Sequence, residues 1–209
     1  FISADDFVKT LDPEYLRYYF ASKLSTGVDD IDLNLEDLKQ KVNSDLVNKL
    51  VNIASRSANF INKHFNNELS KEIDNNGLIE DFINTSNEVS NHYENLELNK
   101  AMKEIMTLAD KANQYVDKME PWVLIKDEKN LELVHKVCST ALNLFRILTI
   151  MIEPVTPKLS KKSFNFLNEE PCWDDIKKSL LDHKINSFEP LLTRIEDDQI
   201  NQLMELKNV

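Results

Sequence analysis

Residues 35–65 read LEDLKQKVNSDLVNKLVNIASRSANFINKHF. Within them the apolar side chains Leu38, Val42, Leu46, Leu50, Ala54, Ala58, Ile61 and Phe65 recur in steps of three and four. Successive residues of an α-helix advance by about 100°, so this spacing lays one apolar stripe along a single helical face. The pattern persists for about thirty residues and predicts one long amphipathic helix. A helix of that length needs other helices to cover its stripe.

Working outward from it, the flanking segments are also helical in pattern. Leu78, Phe82, Val89 and Tyr93 mark a second long helix after the punctuation at Asn66-Asn67 and Asn75-Asn76-Gly77. Leu98, Ala101, Met102, Ile105, Met106, Ala109, Ala112, Val116 and Met119 mark a third, closed by Pro121. A fourth runs from about Leu131 to Ile152 and ends before Pro154, and a further one starts at Thr156-Pro157 with the threonine as cap. Residues 170–194 hold no sustained period and read as an irregular strap before a final helix near residues 197–206. Upstream, a short helix over residues 5–10 precedes one over residues 13–23, which has Asp12 as cap and Pro13 in its first turn. Ile31, Leu33 and Leu35 then alternate with polar residues, the period of a short extended connector. The expected architecture is all-α: an antiparallel helical bundle over residues 35–209, preceded by a small module over residues 1–34 that ends in the extended segment.

Composition agrees. The 209 residues include two glycines and six prolines, too few for the turns of a many-stranded fold. The two cysteines, Cys138 and Cys172, have no metal-ligand spacing and read as reduced thiols of a cytoplasmic protein. The longest apolar run, residues 141–155, is interrupted by Asn143, Arg146, Thr149 and Glu153 and reads as a buried helix, with no membrane partner expected. FISA at residues 1–4 has neither an initiator methionine nor the features of a signal peptide, so the chain is expected to be part of a longer one. A net charge of −11 repels polyanions, so contact with nucleic acid requires a local surface, and none with DNA is expected.

Familiar catalytic chemistry is absent from the pattern. Gly27 and Gly77 are isolated, so there is no phosphate loop, and His64, His92, His135 and His183 are scattered as surface or capping residues. The acid pairs Asp29-Asp30 and Asp197-Asp198 have no nucleophile or base beside them in sequence. No catalytic residue and no metal ligand is assigned.

Two features remain. Asn52 and Arg56 lie about 160° to either side of Ala54 on the helical wheel, with Asn48, Ser55 and Asn59 extending the same polar surface. Such a surface is either a solvated helix face or a set of donors and acceptors for a base edge or phosphate. Trp122, fixed by Pro121 at a helix end, is either a core anchor or a stacking platform for an unpaired base.

FISA at residues 1–4, DPEYLRYY at 12–19, DDIDLNLED at 29–37, VNIASR at 51–56, EPW at 120–122 and NLFR at 143–146 together resemble the methionyl-tRNA synthetase family, in family order and over essentially the whole chain. The resemblance implies a stem-contact module followed by a helical anticodon-binding domain of the class I type. It implies that Asn52 and Arg56 contact the CAU anticodon of methionine tRNA, that Trp122 stacks on its first base with Pro121 holding the indole, and that Asp117 takes part in discrimination. Arg194 matches a basic position near the family's C-terminal strap. Arg56, Lys49, Lys63 and Lys23 would then supply local positive charge. Asp5-Asp6 departs from the pattern by placing acid near the tRNA stem.

The resemblance also implies an ATP-dependent methionine–tRNA ligase whose catalytic domain lies N-terminal to Phe1. ATP and magnesium, with zinc as an optional further metal, would belong to that domain; this segment would hold no cofactor and be catalytically inactive. Its partners would be the tRNA anticodon loop and its own catalytic domain. Two other readings stay open: the anticodon domain of a related class I synthetase, and a helical protein-interaction bundle in which Asn52, Arg56 and Trp122 are structural.

Overall fold

The computed structural model describes residues 2–27, 30–74 and 76–207. Expectations resting on Phe1, on Asp29 in the 29–37 run and on Asn75 in the 75–77 punctuation lie outside the described residues.

Helix α1 (Ala4–Thr10) is capped by Ser3, whose hydroxyl accepts from the Asp6 amide. Asp6 in turn pairs with Lys9, so one of the two acids at this turn is engaged locally. Helix α2 (Pro13–Lys23) is capped by Asp12, which accepts from the Glu14 amide at 3.1 Å, with Pro13 at its first position. Residues 30–34 run extended without pairing into a strand, and Asn34 caps helix α3 (Leu35–Val42).

The long helix predicted from residue 35 is a continuous rod with a wide middle. Helix α3 passes through a π-helical segment, Asn43–Val51, into helix α4 (Asn52–His64). The spacing explains the widening: Leu38, Val42, Leu46, Leu50, Ala54 and Ala58 follow strict steps of four, each of which drifts about 40° around an ideal α-helix. Turns closed by i→i+5 bonds absorb that drift, and all six side chains stay buried.

Helices α5 (Leu78–Glu94), α6 (Leu98–Met119), α7 (Pro121–Leu124), α8 (Leu131–Ile152), α9 (Pro157–Leu167) and α10 (Asp197–Lys207) follow, the single turn α7 being an addition to the expected order. The fold is an all-α bundle in which α8 is the central helix, packed on α4, α5, α6 and α9. Every residue from 137 to 152 is buried, as a helix surrounded on all sides requires. The apolar run that includes Leu142, Phe145 and Leu148 therefore lies inside the protein.

One predicted cap is corrected. Thr156 precedes α9, but its hydroxyl turns back toward the Ile152 carbonyl. The free amides of α9 are met instead by Glu14, a buried carboxylate that accepts from Lys158 N and, at 2.8 Å, from Leu159 N. A negative group at a helix N-terminus also opposes the positive end of the helix dipole. The rest of the DPEYLRYY run works the same way: Arg17 donates to the carbonyls of Val155 and Pro154, Tyr15 to that of Thr193, and Tyr18 and Tyr19 to the carboxylates of Asp45 and Asp37. The run is the joint between α2 and the bundle.

The irregular strap is held by side-chain amides. Asn143 donates to the Leu180 carbonyl and accepts from its amide at 2.7 Å. Asn43 does the same to Ile195, at 2.9 and 2.8 Å, and Asn62 accepts from Phe188 N. Arg146, buried with Glu169 at 2.6 Å, donates to the carbonyls of Asp175 and Lys178. These contacts satisfy a backbone that forms no regular ladder beyond the isolated bridge of Glu68 with Lys184. The histidines take the surface and capping places expected of them: His183 faces the Leu167 carbonyl at the end of α9, and His135 stacks on Phe65.

Candidate nucleic-acid interface

Lys49, Asn52 and Arg56 project from the rod toward α6, which answers with Asp110, Asn113 and Asp117. Both sets follow steps of three and four, so each side chain meets the residue 61 positions further on. Lys49 Nζ reaches Asp110 at 2.8 Å, Asn52 Nδ2 donates to Asn113 Oδ1 at 3.1 Å, and Arg56 Nη2 donates to Asp117 Oδ1 at 2.5 Å. Residues three and four apart share a helical face, so matching spacings on two packed helices make a three-rung ladder. Its outer edge is open to solvent, since Asp117 is exposed and Arg56 and Asn52 are half-buried.

The ladder ends at Trp122. Helix α6 stops at Glu120, whose φ of 42° and ψ of 58° turn the chain into the left-handed region. Pro121 then starts the single turn α7 with its ring buried, which leaves Trp122 projecting and 37% exposed. The core-anchor reading of Trp122 therefore fails. Nor is the indole a bare platform, because the Arg56 guanidinium carbon lies 4.8 Å from its ring centroid, in cation–π contact. Arg56 is thus held from two sides, by a carboxylate and by an aromatic face.

The strap reaches the same surface through Arg194, whose Nη1 donates to Asn48 Oδ1 at 2.7 Å. Of the six candidate residues, Arg56 touches Asp117 and Trp122, Asn52 stands four residues before Arg56 on the rod, Pro121 directly precedes Trp122, and Arg194 joins the rod through Asn48, four residues before Asn52. Ser55 and Asn59 instead bond carbonyls within their own helix.

The expected positive patch is corrected in part. Lys49 and Arg56 are paired as above, and Lys23 is paired with Asp37 at 2.7 Å. That contact raises the Lys23 pKa and lowers that of Asp37, so both groups are charged at neutral pH and largely cancel. In a chain with 36 acidic and 25 basic residues, carboxylates are at hand to close most such pairs. Asp110 and Asn113 were not singled out from sequence. The signal that could have found them is the repeated three-plus-four spacing on two helices of the same bundle.

Residues 68–206 match the family model of the anticodon binding domain of methionyl tRNA ligase. The chain belongs to this family. Residues 1–58 match the model of class I tRNA synthetases of the methionine type, so Asn52 and Arg56 fall under one model and Asp117, Trp122 and Arg194 under the other. A methionine–tRNA ligase from Vesicomyosocius okutanii subsp. Calyptogena okutanii (strain HA) is 50% identical over 206 residues, covering 98% of this chain and 38% of that protein. The chain therefore spans well under half the length of this relative. Among solved structures, the apo methionyl-tRNA synthetase of Mycobacterium tuberculosis superposes with a TM-score of 0.83 over 91% of this chain and 40% of that one, at 20% identity. The structure of the same enzyme bound by methionyl-adenylate superposes with a TM-score of 0.81 over 90% of this chain and 39% of that one, also at 20% identity. At that identity the likeness speaks for the fold.

Proposed function

We propose that this chain reads the CAU anticodon of methionine tRNA as the noncatalytic part of a cytoplasmic methionine–tRNA ligase. The observation that carries the reading is the meeting of Asn52, Arg56, Asp117 and Trp122 in one half-exposed ladder, with Arg194 joined to it through Asn48. An unpaired base needs a flat apolar surface and polar groups for its edge, and these residues supply both.

In this reading the first anticodon base stacks on Trp122, whose direction is set by the left-handed turn at Glu120 and by buried Pro121. Arg56 can leave the indole face or Asp117 for the base or an adjacent phosphate without crossing the molecule. Asp117 keeps the guanidinium neutralised until a ligand competes for it, and its exposed carboxylate repels phosphates placed wrongly. Arg194 adds a charge at the edge. Methionine activation, ATP, magnesium and any zinc would belong to the catalytic domain of the longer protein, which would be the chain's second partner.

The test is binding of an anticodon stem-loop of methionine tRNA, and of one changed only at its first anticodon base, across a salt series. The expected outcome is a preference for cytosine that Trp122→Ala abolishes, with about 1–3 kcal/mol of binding lost, the usual worth of a base stack. The dependence on salt should be shallow, because few cations on this face are unpaired. Equal binding of both RNAs by the unaltered chain would overturn the reading.

A further inference from the structure

The orientation of the Asn52 carboxamide follows from its neighbours. Asn113 donates both of its amide hydrogens to backbone carbonyls, to Lys49 O and to Ala109 O, each at 2.9 Å. Carbonyl oxygens only accept, so a flipped Asn113 would set its own oxygen against two others. Asn113 Oδ1 must therefore face Asn52, and Asn52 must offer it Nδ2, as found at 3.1 Å. The consequence reaches the surface. The Asn52 carbonyl oxygen is turned away from the α6 partner and accepts no hydrogen bond from a described residue, on a half-exposed face beside Arg56.

We infer that Asn113 is a positioning residue for base specificity: through two backbone carbonyls it locks the Asn52 amide so that a hydrogen-bond acceptor, rather than a donor, faces the bound base. An acceptor at that place favours a base edge carrying an amino group. Cytosine presents its exocyclic amine there, whereas uracil presents a carbonyl oxygen that a fixed acceptor repels. An Asn52 free to flip would serve both bases about equally. Asn113 touches no base itself, and its whole effect passes through the orientation of its neighbour.

This inference rests on the anticodon reading, and the experiment separates the two. The chain is titrated with stem-loops that differ only in cytosine or uracil at the first anticodon position, and each variant is melted in parallel. Asn113→Leu keeps the volume and removes the lock; it should lower the cytosine-to-uracil ratio by about tenfold, the order expected for losing one oriented hydrogen bond. Binding that depends on Trp122 should persist. Asn113→Ala serves as the second variant should leucine disturb the packing of α6 on the rod. Restoration is the decisive arm: in the Asn113→Leu background, Asn52→Asp presents acceptors in either rotamer and should bring the preference for cytosine back, although the added charge weakens both RNAs. A lost purely structural contact would not be repaired by that change. If the unaltered chain binds both RNAs alike, the anticodon reading falls and this inference with it. If the unaltered chain discriminates and the ratio survives in both Asn113 variants, or is not restored by Asn52→Asp, this inference alone falls.

Discussion

Asn43 and Asn52 stand on the same rod, yet their carboxamides are used in opposite ways. Asn43 is buried and bound at both ends by one strap residue, its nitrogen giving to Ile195 O and its oxygen taking from Ile195 N. Asn52 is half-buried, gives to Asn113, and keeps its oxygen toward solvent. Asn143 belongs with the first kind and repeats the two-way bond to Leu180. The difference separates two jobs that the sequence writes with one amino acid. A buried amide must be fully satisfied to be tolerated, and so it stabilises the fold. An amide at the rim can keep an acceptor free for a ligand.

The comparison breaks most easily at Arg146. Arg146→Met should destabilise the chain by about 3 kcal/mol, because it leaves the largely covered Glu169 carboxylate without its partner and two strap carbonyls without a donor. Chemical denaturation measures this, and adding Glu169→Gln should recover part of the loss. Next in size, Asn143→Leu should cost about 2–3 kcal/mol through the orphaned amide and carbonyl of Leu180, and hydrogen exchange should show the Leu180 amide losing protection before the core of α8. Equal losses from Asn52→Leu would erase the proposed division of labour. At the small end, Asp117→Asn should change stability by less than about 1 kcal/mol, as an exposed pair does, while strengthening RNA binding of every sequence and steepening its salt dependence. The least effect is a labelling one. Burial pushes the Cys138 thiol up to about 12, so at pH 8 its reactive thiolate is scarce, and an alkylating reagent should modify exposed Cys172 while sparing Cys138 until the chain unfolds.

Much of the fold was legible because helices write their burial into a short period. The rod, α6 and α8 all lie where apolar spacing placed them, the closing helix α10 lies where one was expected, and the strap lies where the spacing stopped. The π-helical segment was missed although its cause was visible, since five successive steps of four cannot keep a stripe straight on an α-helix. Glu14 as the cap of α9 was not legible, because its partners Lys158 and Leu159 are remote in sequence and met only through tertiary structure. The candidate site divides in the same way. That Asn52 and Arg56 lie off the apolar stripe followed from the helical wheel, but their half-buried place against α6 did not, and the cation–π contact of Arg56 with Trp122 needed the turn at Glu120 to bring two helices' ends together.

The wide turn of the rod leaves the chain a residue to spare at that place. Asn43, at the start of the π-helical segment, is bound to the strap, and Asn52, just past its end, is bound to α6. Deleting one residue between them, such as exposed Ser44, would let one turn closed by i→i+5 bonds become a turn closed by i→i+4 bonds, so the widened turn, and not the helix beyond it, takes up the loss. The strap, bound at Asn43, and α6, bound at Asn52, could then both keep their register with the rod. A one-residue deletion in this segment is therefore expected to be tolerated far better than the same deletion within α8, where everything beyond it would turn by about 100°.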